Sequence, residues 1–434
     1  DGSSRFGKEN KWGTFPSAAF AWRVNQENFL KDVSWIDNLK LRVSYGIVGN
    51  QNGIGNYTTL GLADNKGYEF GDTFQMGYLP GKELSNPNLK WEQSATANLG
   101  VDFSFFNGRL NGTVEYYNTH TKDLLVERSL NASLGYTTML DNLGKTKSSG
   151  IDLSLNGDVI RTKEFAWSLG TNFSMYKNEI VRIDDTPASQ VAQGWIIGEP
   201  INVYYDYLVD GIFQYDDFDI TRDGTGNLVY TLKNTYDSNN DGIADSPIDY
   251  GGAIEPGMVK VRDNNGDGKI TADDRVPIRK DPKFTVSLSS TWNWKGFDLF
   301  MDWYGVSGRK IKNSYLYDYN SGGSLRGKLN GVKVDYWTPF NPSNEFPRPS
   351  YSADPAYLSA IAIQDASYIR LRTLQLGYTF PARLLKNTPI HKLRLYATAT
   401  NLLTFTEFKS YSPELTPGSY PESRQYVFGV NVSF

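Results

Sequence analysis

The last ten residues, Gln425 to Phe434, alternate with period two. Tyr426, Phe428, Val430, Val432 and Phe434 fall on one face, and Gln425, Val427, Gly429, Asn431 and Ser433 on the other. Such a period belongs to an extended strand. A strand this apolar, with an aromatic as its last residue, is a poor final element for a sheet in water, where an open apolar edge invites aggregation. In lipid it is required, because the outward face must be apolar and every backbone group must find a partner in a closed ring of strands. The feature points to an all-β fold, a transmembrane antiparallel β-barrel.

Two hairpins support that reading. Leu99, Val101, Phe103 and Phe105 alternate with Asn98, Gly100, Asp102 and Ser104, and Asn107-Gly108 follows, a strong signal for a two-residue type I′ turn. Pairing across it sets Phe105 opposite Leu110, Val101 opposite Val114 and Leu99 opposite Tyr116, with Asp102 facing Thr113 and Gly100 facing Glu115. The apolar and polar faces stay in register, as a half-buried hairpin requires. In the second, Val286, Leu288, Trp292 and Trp294 share a face, Lys295-Gly296 makes the turn, and Phe297, Leu299, Met301 and Trp303 return. Trp294 then pairs with Phe297, and Trp292 with Leu299.

Further strands are expected near Phe15–Val24, Leu39–Ile47, Lys145–Val159, Phe165–Asn178, Ser367–Phe380 and Lys392–Leu403, about 11 in all. Connections alternate in length. Short or moderate ones follow Val24, Phe105, Val159, Trp294 and Phe380. Long ones run from Val48 to Lys90, Arg128 to Gly144, Glu179 to Lys283, about Ser307 to Ala366, and Thr404 to Arg424. Short periplasmic turns and long extracellular loops are the barrel rule. It puts Phe434 on the periplasmic side and Asp1 in an extracellular loop. An odd number of strands does not close a bacterial barrel. The chain, residues 1–434, is therefore expected to form part of one, with more strands supplied by other sequence. It opens on Asp1-Gly2-Ser3-Ser4 with no signal peptide, so a preceding portion is expected for an exported protein.

Composition agrees. Aromatics are 14% of 434 residues, as interfacial girdles would need, and no cysteine is present for disulfide or thiolate chemistry. A net charge of -4 gives no general affinity for nucleic acid.

Several blocks resemble the C-terminal half of SusC/RagA-type TonB-dependent outer-membrane transporters of the Bacteroidetes. They are Asp1-Gly2-Ser3-Ser4-Arg5-Phe6 with Phe15-Pro16-Ser17; Leu39 to Gly46 with Gly49-Asn50-Gln51; Asn86-Pro87-Asn88-Leu89-Lys90-Trp91-Glu92; and Tyr116-Tyr117-Asn118 with Thr121 to Leu125. Pro256-Gly257, Asp263 to Ile270, Ser367 to Arg372 and the Phe-terminated strand complete the set, in order. The resemblance implies a roughly 22-stranded barrel in the bacterial outer membrane, with a plug and TonB box that this chain lacks. It also implies TonB-driven uptake of an oligosaccharide or peptide, a SusD-like lipoprotein lid, and a dimer of transporter–lid pairs. The alternatives are a surface receptor barrel without energy coupling or a passive porin, and more distantly a soluble carbohydrate-active enzyme.

Candidate sites lie in the long loops. Asp263, Asn265, Asp267, Lys269 (through its carbonyl) and Asp274 occupy positions one, three, five, seven and twelve of a calcium loop, with Gly268 at six. Structural Ca2+ would stiffen the loop of about 179–283; the plainer reading is a polar turn. A weaker copy comprises Asp237, Asn239, Asp241 and Asp245. Trp195, Tyr204, Tyr205, Tyr207, Phe213 and Tyr215 could line a substrate path, or pack the loop on itself. Trp292, Trp294 and Trp303 suit a membrane-interface girdle. Arg370 and Arg372 share a face whose period continues to Leu374, Leu376 and Tyr378, which places them on the lipid side at the outer rim. No catalytic constellation is evident. The two histidines, His120 and His391, are expected far apart, and the pairs Asp184-Asp185 and Asp216-Asp217 read as solvated loop carboxylates.

Overall fold

The computed structural model describes residues 1–183, 194–237, 242–244, 246–313, 335–348 and 356–434. Eleven long strands form one antiparallel sheet in sequence order. They are β1 (Ser17–Arg23), β2 (Ile36–Asn50), β3 (Glu92–Phe105), β4 (Leu110–Ser129), β5 (Thr138–Arg161) and β6 (Phe165–Ile183). Then come β7 (Phe284–Trp294), β8 (Phe297–Ser307), β9 (Tyr368–Thr379), β10 (Lys392–Thr406) and β11 (Gln425–Ser433). Each pairs with its sequence neighbours, and β1 and β11 each pair on one side, so the sheet is open. Its 11-residue β7, tilted as barrel strands are, spans roughly 25 Å, enough to cross the hydrocarbon layer. Among the described residues no helix is long and apolar enough to cross a membrane.

Both expected registers are found. Leu99 pairs with Tyr116, Asp102 with Thr113 and Phe105 with Leu110; Trp292 pairs with Leu299 and Trp294 with Phe297. The turn at Lys295-Gly296 has two residues at positive φ, 47° and 93°, which matches strand twist. The turn after Phe105 is a correction. It has four residues, and Phe106, Asn107 and Gly108 all take positive φ, so Asn107-Gly108 is not a two-residue turn. The connection expected from Arg128 to Gly144 is also shorter than the sequence suggests. β4 and β5 run 20 and 24 residues and pair as far as Ser129 and Thr138, so the hairpin continues past membrane depth.

The outer face carries exposed Val43, Tyr45, Leu99, Tyr116, Ile151, Leu288 and Leu376. Aromatics collect at the tight-turn end: Trp292 stacks on Trp167 at 4.7 Å, and Trp294 on Phe297 at 6.4 Å. The indole N–H groups of Trp167 and Trp292 both donate to Ser290 Oγ, at 3.0 and 2.6 Å, so a serine on the lipid face is sealed by its neighbours. Trp303 stacks with Phe405 at 6.5 Å. Trp292 and Trp294 thus cluster with other aromatics at one end of the sheet, whereas Trp303 lies mid-strand opposite Leu288 and not at an end as a girdle would require.

Several of the blocks that carry the resemblance meet in one small core above the sheet. Phe6, Ile54, Leu89 and Trp91 are buried together, with Phe6 4.8 Å from Trp91 and Phe15 edge-on to it at 5.4 Å. Asn142 ties the hub to the β4–β5 hairpin: its side chain accepts from Lys90 N at 2.8 Å and donates to the Lys90 and Asp123 carbonyls. Gly7 has no room for a Cβ, which would lie 2.2 Å from the Pro87 carbonyl. These residues pack the chain rather than offer a surface.

Candidate functional site

The concave face of the sheet is charged. Arg42 on β2 donates Nε and Nη2 to the two Asp102 oxygens of β3, both at 2.8 Å, and Nη2 also reaches Glu115 of β4. Thr113 donates to Asp102 at 3.1 Å, and Lys40 adds a contact at 3.3 Å. The Arg42 guanidinium lies over Gly100, where a Cβ would sit 2.9 Å from Nη2. The same device recurs on β9, where Gly377 leaves room for the Asp298–Arg394 pair. With Asp152, Ser154, Asn172 and Ser287 the network walls a concavity of about 510 Å³. Charges sharing a face opposite the lipid-exposed residues define a lumen.

Arg370 and Arg372 belong to this inner side, which corrects the expectation that they face lipid. Asp302 pairs with Thr373 but Trp303 pairs with Leu371, so Arg372 is an extra residue on β9. The register on the β10 side shifts at the same level. A bulge re-aims the strand beyond it. Ile369 and Leu371 then join the outer face with Trp303, Leu403 and Phe405, and Arg370 turns inward. Arg370 is 3% exposed. Its Nε donates to Thr404 at 2.9 Å, and Nη1 pairs with Glu414 at 3.0 Å and with Glu422. The Tyr368 hydroxyl also donates to Glu414, and Arg372 lies 3.5 Å over the Tyr304 ring. Together these bonds tie the extracellular segment 407–424 to the barrel wall.

Burial pushes both carboxylates up. For Glu422 the neighbouring Glu414 adds to that, and its carboxyl stays above the usual range. For Glu414 the Tyr368 hydroxyl, the hydrogen bond with Glu422 and the charges of Arg370 and Arg372 outweigh burial, and it lies below the usual range. The two carboxyls are thus shifted in opposite directions.

Above the lumen, the loop between β6 and β7 builds a layer of short hairpins. Val203–Asp206 pairs with Val276–Arg279, Val209–Ile212 with Val259–Val261, and Phe218–Arg222 with Leu228–Leu232. The six aromatic candidates do not converge. Phe213 is buried against Phe218 and Tyr250. Tyr207 packs on Tyr357 at 5.0 Å beside the buried Val259 and Val261. Tyr215 leans on Trp337 at 5.6 Å, and Trp195 lines a separate, largely apolar cavity of about 670 Å³. Tyr205 sits opposite Pro277. Tyr204 alone lines the cavity over the lumen, its hydroxyl accepting from Lys312 N at 3.0 Å.

The acidic loop from Asp263 to Asp274 is closed by its own hydrogen bonds. Asp263 accepts from Gly266 and Gly268 N at 2.8 and 2.7 Å, Asn265 from Asp267 N at 2.9 Å, and Asp267 from Lys269 N at 2.9 Å. Asp274 is fully buried and accepts from Asn264 and Thr271 N. Those backbone donors outweigh its burial and hold its carboxyl below the usual range. The oxygens are of the hard type calcium takes, and each keeps lone-pair capacity beyond its bond. Among the described residues no three His, Cys, Asp or Glu side chains gather as metal ligands. In the second acidic loop Asp237 accepts from Gly242 N at 2.7 Å; Asn239, Asp241 and Asp245 lie outside the described residues, as do Asp184 and Asp185. Asp217 accepts from Gln214 N and from Lys260, a structural use of its carboxylate. His120 is on β4, opposite Ala95, and His391 is in the inner connection between β9 and β10.

Comparison with known proteins places this architecture. A family model described as TonB dependent receptor-like, beta-barrel matches residues 1–402. TonB-dependent receptor P3 of Formosa agariphila is 32% identical across the whole chain, which covers 43% of that protein. TonB-dependent receptor SusC of Bacteroides thetaiotaomicron is also 32% identical, with 41% of its length covered. The RagAB peptide transporter superimposes with a TM-score of 0.75 at 27% identity, over all of this chain and 45% of that one. The chain thus spans less than half the length of the curated relatives it matches.

Proposed function

The chain belongs to the TonB dependent receptor-like, beta-barrel family of outer-membrane proteins, and from that premise we propose that it forms the C-terminal part of an active nutrient importer. The observation that carries the reading is the lumen. An apolar outer face backs onto a charged inner wall, and the tied-down extracellular loops converge over it. The reading has a nutrient, an oligosaccharide or a peptide, captured beneath those loops. A SusD-like lipoprotein would close over it. TonB, acting on a plug outside this chain, would release it inward. Relatedness to SusC and to RagAB supports this. In the same reading calcium binds the loop from Asp263 to Asp274 and stiffens the layer that receives the lid. In this reading the chain orients, encloses and releases its cargo.

The test is uptake by the native protein in its own cells, with and without TonB, together with intact-mass analysis of the detergent-purified complex. Uptake that stops without TonB, and a co-purifying lipoprotein, are expected. Uptake indifferent to TonB would replace importer by porin, and binding without uptake would replace it by receptor.

A further inference from the structure

Among the described residues, the cavity between the loop layer and the barrel wall carries an excess of positive charge. It encloses about 510 Å³. Lys280, Arg309, Lys310, Lys312 and Arg372 line it, against the carboxylates of Asp281 and Glu414. Lys310 is paired with Asp365 at 3.0 Å and Arg372 with Glu414 at 3.5 Å. Lys280 and Arg309 have no carboxylate partner among the described residues. Lys280 rests 4.5 Å over the Tyr204 ring, and Arg309 donates to the Glu414 backbone carbonyl at 3.0 Å. The Asp281 carboxylate is engaged by Asn202 at 2.9 Å.

The tyrosines of the cavity serve these cations. Tyr204 carries Lys280, Tyr304 carries Arg372, and Tyr368 carries Arg370 at 5.5 Å. Sugar stacking needs a bare ring face, and each of these rings has one taken. Like charges gathered in a half-enclosed space of reduced dielectric repel one another and draw in anions. Thr285 and Tyr304 also line the lumen concavity below, where Arg42 is set against Glu115 and Asp152. The sign of charge reverses there, so an anion finds its resting place at the mouth and not along the wall.

The geometry points to this cavity as a capture site for a carboxylate-bearing nutrient, with Lys280 and Arg309 as the groups that meet its charge. The inference names a substrate class for the uptake reading and rests on it for its biological sense. Its test is direct binding and needs no transport. Calorimetry on the native complex in detergent would compare an oligoglutamate with an oligoglutamine peptide, and an oligogalacturonate with its methyl ester. At least one acidic probe is expected to bind about tenfold tighter than its neutral counterpart. The gap should close at roughly 0.5 M salt. Which acidic probe wins assigns the source of the carboxylate, peptide or uronate. The double variant Lys280→Gln, Arg309→Gln should lose the preference and keep the neutral probe's affinity, and Lys280→Arg should retain it. Equal affinity for acidic and neutral probes, or a variant that loses both alike, would overturn the site. Loss of uptake with the preference intact would overturn the importer and leave the site standing.

Discussion

Replacing Arg370 by Met removes the charge that joins segment 407–424 to the barrel wall. The Arg370 side chain is 4% exposed, and its partners Glu414 and Glu422 are 23% and 22% exposed. Removing one member of a fully buried pair costs about 3–5 kcal/mol, and losing an exposed pair costs about 0–1. With the cation sealed and the carboxylates about a fifth open, roughly 2–3 kcal/mol is expected. Two neighbouring carboxylates lose their shared counter-ion, and Thr404 loses its donor. Because the bonds join a loop to a strand, the cost falls on local opening, which should rise roughly 30- to 150-fold. Hydrogen–deuterium exchange of the native protein in detergent reads this at residues 407–424, with β3 and β4 as internal reference. Arg370→Lys keeps the charge without the planar fork and should fall between wild type and Met. A change under about threefold in that segment, or an equal loss of protection in β3 and β4, would refute the anchoring role.

The same segment should respond to pH. Glu422, raised in the folded state, contributes stability at low pH that is lost as pH rises through its folded value. Glu414, lowered, contributes stability that is lost as pH falls through its own. Protection of 407–424 should therefore peak in mild acid, and Glu422→Gln should abolish the decline on the alkaline side; a flat profile contradicts the opposed shifts. Gly377→Val places atoms where a Cβ already lies 2.5 Å from the Arg394 Nη2 and the Asp298 carboxylate. It should cost about 1–3 kcal/mol by overpacking, read as an earlier thermal transition of the barrel, and an unchanged transition would show the site relaxes freely. Removing calcium with a chelator should lower protection over residues 263–274 and restore it on readdition, with Asp263→Ala insensitive to both; identical exchange with and without calcium sinks the ion.

The alternation that predicts the strands also predicts their pairing, because one face meets lipid and a one-residue slip would reverse every side chain. That is why Leu99–Tyr116 and Trp292–Leu299 were readable in advance. Continuing period two through the bulge at Arg372 puts Arg370 on the wrong face. The signal is present in Ile369, Leu371, Leu374 and Leu376: the step of three between Leu371 and Leu374 marks the extra residue. Asn107-Gly108 alone implies too short a turn after Phe105, whereas pairing Phe105 with Leu110 leaves four residues between them. The loop aromatics are not separable along the chain, since what distinguishes Phe213 from Tyr204 is what packs over each, and distant segments supply that. The cation-lined cavity gathers residues near 204, 280, 310, 372 and 414. No local motif announces it.

The absence of cysteine allows the central claim, a wall with lipid on one side and a lumen on the other, to be tested one residue at a time. Single cysteines placed along β7 and β9 in the native membrane would be challenged with a water-borne maleimide and a lipid-borne quencher of an attached fluorophore. Positions 285, 287, 373 and 375 should react from water, and 286, 288, 376 and 369 should be quenched from lipid, with the parity reversing between 371 and 374. Uniform reaction along both strands, or a parity that runs unbroken through Arg372, would contradict it.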